Sequence, residues 1–129
     1  MKLTVKLTSS QKKSIVALDR LAGKLSALLD YVRELENEAA RHGKRAKAHE
    51  LAEYAQKITR SLSEVQGDAL EIVDDSPQLT TALAKIGEAN KRIDTALEET
   101  AELDDKLKQV ATILDLVAKG LSVFSSLAA

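Results

Sequence analysis

The chain has no cysteine, no tryptophan, one proline, five glycines and three aromatic residues in 129 positions. Without thiols there is no disulfide framework, no iron–sulfur ligation and no thiolate zinc motif. Scarce aromatics remove the usual stacking platforms for bases, and nineteen basic against twenty acidic residues give a net charge of −1, with no positive excess to draw a polyanion. Nucleic acid is therefore not expected as a partner. Neither a glycine-rich phosphate loop nor a GxSxG elbow occurs. Long apolar runs are missing too: the uncharged stretch Gly120 to Ala129 is half a membrane span. The opening MKLTVKLTSSQKK lacks the apolar core of a signal peptide. The expectation is a soluble protein, cytoplasmic as synthesised, with export without a cleaved signal left open.

What is present is helix-forming sequence, rich in Ala, Leu, Glu and Lys. We read residues 1–129 as a single all-α domain, with 1–8 as an extended N-terminal arm that ends in a Thr8/Gln11 capping box. Helix one is expected over 9–42, its apolar seam running Ile15, Leu18, Ala22, Leu25, Leu29, Val32 and Ala39. Gly43 punctuates it. Helix two is expected over 44–74, with the seam Leu51, Ala55, Ile58, Leu62, Val65, Ala69 and Ile72 in a different heptad phase. That change of phase favours a turn at Gly43 over a continuous rod. Asp74-Asp75 ends helix two, and Ser76-Pro77 is an N-cap followed by proline at the first helical position.

From Pro77 one heptad phase holds to the end. One seam position reads Leu79, Ile86, Ile93, Thr100, Leu107, Leu114, Leu121, and the other Ala82, Ala89, Ala96, Leu103, Val110, Val117, Phe124. The expected architecture is an elongated antiparallel bundle or coiled coil of three long helices, the third spanning 77–128. A bend near 100–105, with Thr100 or Asp104 as the new N-cap, would convert that third helix into two. An unbroken third helix of about 75 Å overshoots its shorter partners from about Lys108 onward. Yet residues 110–129 are the most apolar of all, with Ile113, Leu116, Val123 and Leu127 outside the seam and a polar strip of Asp115, Lys119, Ser122 and Ser126. So wide an apolar arc needs cover. The segment either folds back as a fourth helix, pairs with another chain, or enters a membrane or apolar groove.

Catalytic constellations are lacking. His49-Glu50 is followed by Glu53 where a zincin needs histidine, and no Glu-x-x-His pair occurs. Adjacent carboxylates at 74–75, 98–99 and 104–105 diverge by about 100° on a helix. No enzyme, metal site or cofactor is expected. Tyr31 and Tyr54 are read as edge residues with hydroxyls in water. Asn90 is also read as an edge residue, a buried register-setting role being the alternative.

Two functions follow. The first is a non-enzymatic helical interaction protein that self-associates or binds another helical protein through its C-terminal helix. Its interface would be Leu107, Val110, Ile113, Leu114, Leu116, Val117, Leu121, Val123, Phe124 and Leu127. The second is a membrane-active protein inserting the same segment, a design that resembles α-helical pore-forming toxin components in general architecture. Asp115 and Lys119 count against a simple span. The basic cluster Arg41, Lys44, Arg45 and Lys47 would contact an anionic surface. The favoured alternative is a solvated helix hairpin whose cations compensate the acidic run Asp94, Glu98, Glu99, Glu102, Asp104 and Asp105, which lies at about the same height along the helices.

Overall fold

A computed structural model describes residues 9–68, 77–99 and 101–128, with side chains for all of these except 10, 11, 66–68 and 124–128. The N-terminal arm, the Thr8/Gln11 capping box and the segment 69–76, including Asp74-Asp75 and Ser76, lie outside this description. The described residues form four helices and no strand: α1 (Ser9–Arg41), α2 (Arg45–Asp68), α3 (Pro77–Glu98) and α4 (Leu103–Ala128). Four helices, not three, is the main correction to the sequence reading. The long third run is broken between Glu98 and Leu103, so the fold-back alternative is the one adopted.

The two visible corners are made by different physics. At the first, Gly43 has φ +71°, Gly43 N–H donates to Ala40 C=O at 3.1 Å and Lys44 N–H to Ala39 C=O at 2.8 Å. This is a Schellman ending, whose left-handed residue carries a steric cost for any side chain. The second corner has no glycine or proline. Glu102, and not Thr100 or Asp104, is the N-cap of α4, its C=O accepting from Lys106 N–H at 3.0 Å. Asp104 and Asp105 occupy the first turn, where carboxylates favour the helix's positive end. The last turns of α3 are closed by a side chain. Lys106 donates to Ala96 C=O at 2.6 Å and to Glu99 C=O, and it is only 3% exposed.

α1 packs on α2, α3 on α4, α1 on α3 and α2 on α4, leaving α1/α4 and α2/α3 on the diagonals. Lys47 meets Asp104, and further along Tyr54, Ser61 and Glu64 border the same groove as Ala111, Ala118 and Ser122. Numbers rise together, so α2 and α4 run the same way. α3 and α4 run oppositely, with Gly120 beside Ile86 and Gln109 beside Glu99.

The core sits between all four helices. α3 contributes Leu79, Ile86 and Ile93 interleaved with Ala82, Ala89 and Ala96. α4 contributes Leu107, Val110, Ile113, Leu114, Val117 and Leu121. Burying one such Leu or Ile side chain is worth about 1.5–3 kcal/mol. α1 buries Leu21 and Leu28 beside the expected Leu18, Leu25 and Val32, because it faces both α2 and α3. Asn90 is buried rather than exposed, close to that α1–α3 contact. Tyr31 and Tyr54 are half-buried.

Gly120 faces the Ile86 side chain so closely that an added Cβ would lie 2.7 Å from Ile86 Cδ1. Gly120→Val should lower stability by about 1–3 kcal/mol in urea unfolding. Gly43→Ala should cost about 1–2 kcal/mol, from the left-handed backbone alone.

Candidate functional site

The basic corner and the acidic run meet in space. Arg41, Lys44 and Arg45 are exposed beyond the α1–α2 turn, and half-buried Lys47 pairs with Asp104 at 2.5 Å. The Lys47 hydrogen bond and its charge, aided by Lys44 and Lys108, hold the Asp104 carboxyl below the ordinary Asp value. A second bridge joins Lys24 to Asp94 between α1 and α3. Both bridges pin one hairpin to the other, since α1–α2 supplies the cations and α3–α4 the carboxylates.

Of the ten C-terminal residues expected at a partner or membrane interface, six are in the chain's own core: Leu107, Val110, Ile113, Leu114, Val117 and Leu121. Leu116 and Val123 are half-buried against that core. Phe124 and Leu127 are among the residues whose side chains are not described. Among the described side chains, the surplus apolar arc of the sequence reading is thus covered from within, by the fold-back that creates α4.

What α4 presents outward is a stripe beside its seam. Ala111, Leu114, Asp115, Ala118 and Ser122 form one wall of an open groove of about 780 Å³, and α2 forms the other with Tyr54, Lys57, Arg60, Ser61 and Glu64. Spacings of three and four on each helix keep these residues on one stripe. The parallel course of α2 and α4 sets the stripes side by side. Alanine and serine on the α4 wall keep the groove broad.

Tyr54 stands at one end, its hydroxyl donating to Glu50 at 2.9 Å and its ring 5.8 Å from Lys57 Nζ. Burial first, then the Glu50 hydrogen bond and the charges of Glu50 and Glu53, push its phenol pKa up. Asp115 pairs with Lys119 at 3.0 Å on the rim.

The groove draws only Leu114 from the interface expected in the sequence, and Asp115 and Ser122 from its polar strip. Ala111, Ala118 and Ser61 were not singled out by sequence. The available signal was the seven-residue recurrence of Ala111 and Ala118 along α4.

His49 Nε2 lies 3.3 Å from Glu53 Oε1 on an exposed turn of α2. Among the described residues no group of three or more His, Asp or Glu side chains is gathered as metal ligands would be. Also among them, no helix is long and apolar enough to cross a membrane.

No protein-family model matches the chain, and comparison with curated proteins and with solved structures finds no similar one.

A depressed carboxyl stabilises the fold above its unfolded-state pKa, and that stability is lost as pH falls through the lowered value. In an NMR titration the Asp104 carboxyl should therefore protonate at lower pH than an ordinary Asp. In Lys47→Met its midpoint should move up toward the ordinary value.

Proposed function

We propose that this protein is a non-enzymatic helical interaction module whose α2–α4 groove receives an amphipathic helix of a partner protein. In this reading the four helices are an elongated bundle of coiled-coil type, with heptad seams turned inward and the groove as its outward-facing product. The observation that carries the proposal is the groove's make-up. It is long and open and has small side chains along α4, so a visiting helix can approach its backbone closely. The half-buried Tyr54 supplies an apolar anchor above a floor that includes the buried Leu114, and Lys57 and Arg60 on the α2 rim favour a visitor with carboxylates on that side. The C-terminal helix remains the recognition element of the sequence reading, but through the edge of its seam instead of the seam itself.

The membrane-active reading draws no support from the arrangement. It needs apolar surface to be released from α4, and that surface is the centre of the core. The basic corner likewise gives up part of its charge to Asp104.

Lys57 places a reactive amine on the groove wall, which allows a direct test. Amine cross-linking in extracts of the producing cells, read by mass spectrometry, should concentrate partner links at Lys57 and Lys119. Ala118→Arg should leave the helical content and unfolding midpoint nearly unchanged, because Ala118 is exposed. It should also weaken those links by about tenfold or more, since a bulky charge in the interface costs over 1.4 kcal/mol. Partner links confined to other lysines, or unaffected by Ala118→Arg, would overturn the assignment.

A further inference from the structure

We infer that the α3–α4 corner is a hinge through which two copies of this chain exchange α4, each α4 docking on α2 and α3 of the other copy. Three observations converge on it.

The first is phase. The positions Leu79, Ile86, Ile93, Leu107, Leu114, Leu121 and Ala82, Ala89, Ala96, Leu103, Val110, Val117 keep one heptad register on both sides of the corner. A chain whose corner is required by local sequence has no reason to keep that phase, and α1 and α2 do not keep it across Gly43. With the corner straightened, α3 and α4 form one helix of about 75–80 Å with an unbroken seam.

The second is composition. Glu99, Thr100, Ala101 and Glu102 include no glycine or proline, and Ala and Glu are strong helix formers. Nothing in these four residues forbids a helix through them.

The third is what holds the corner shut. The carbonyls of Ala96 and Glu99, which a continuous helix satisfies with its own N–H groups, are satisfied by the Lys106 ammonium. That ammonium is itself fixed 5.4 Å from the centre of the Tyr31 ring on α1. On opening, helical hydrogen bonds take the place of the Lys106 contacts with these two carbonyls, whereas the Tyr31 contact is one the exchanged α4 makes again in the other copy.

Exchange preserves the rest. α4 packs against α3 in opposite directions, so two opened chains lie as antiparallel long helices, and each α4 finds the same Ile86 beside Gly120 and the same Lys47 beside Asp104, now in the other copy. The buried α4 residues Leu107 to Leu121 become an interface between copies without being exposed in either form. This exchange makes no use of the α2–α4 groove, so it stands or falls separately from the function proposed above.

The test is refolding from urea at millimolar and at micromolar concentration, with mass read by light scattering after size exclusion. The wild-type chain should give a dimer fraction at high concentration that reverts slowly on dilution. Lys106→Met keeps the buried stem and removes the donor to both carbonyls; it should raise the dimer-to-monomer ratio by about tenfold or more. Inserting Gly-Ser-Gly between Ala101 and Glu102 lengthens the corner and should leave only monomer. Because the chain has no cysteine, Thr95→Cys with Thr112→Cys, which border one α3–α4 hollow, supplies a unique thiol pair for a short bis-maleimide. In the dimer the bridge should join two chains, and in the monomer it should close within one. Monomer alone from the wild type at both concentrations, or a dimer whose bridges all close within one chain, would overturn the inference.

Discussion

The arrangement depends on one buried cation. Lys106 sits one turn into α4 with its amino group against the last carbonyls of α3 and the face of Tyr31. A lysine is seldom buried, since removing its charge from water costs several kcal/mol unless partners replace the solvent. Here the partners are the carbonyls that the end of a helix leaves without donors, at the end where its dipole favours a positive charge. Hydrogen bonds from a charged donor contribute about 1.5–3 kcal/mol each. The contact closes α3, starts α4 and ties the corner to α1 in one place.

The remaining architecture follows from that corner. Once α4 folds back, its apolar arc lies between α2 and α3, and the core closes without a second chain. The two hairpins then dock with α2 and α4 running the same way, aligned by Lys47 with Asp104 and by Lys24 with Asp94. Surface ion pairs of this kind add little stability, but they set register. That alignment places Ala111 and Ala118 opposite Tyr54 and Ser61, so the candidate docking groove arises from the docking of the hairpins and belongs to neither alone.

Much of the fold was legible in the residues. Gly43, the opening of α3 at Pro77, and the seams through Leu51 and Ile58 in α2, Leu79 to Ile93 in α3 and Leu107 to Leu121 in α4 read correctly, because each reports a local rule of helix periodicity or termination. Leu21 and Leu28 were missed since a three-and-four seam describes contact with one neighbour, and α1 has two. Asn90 was missed for the same reason. The groove was largely illegible: Ala111 and Ala118 are ordinary helix surface until α2 is brought alongside.

By itself, the sequence determined that the chain is helical, which faces are apolar, and that the first corner falls at Gly43, because backbone propensity, side-chain spacing and a left-handed glycine act within a few residues. Only the tertiary structure decided that the last helical run breaks in two and covers its own apolar arc. Between Glu98 and Leu103 no glycine or proline marks a bend, and the corner is instead held by Lys106 reaching carbonyls seven and ten residues earlier and an aromatic ring on another helix.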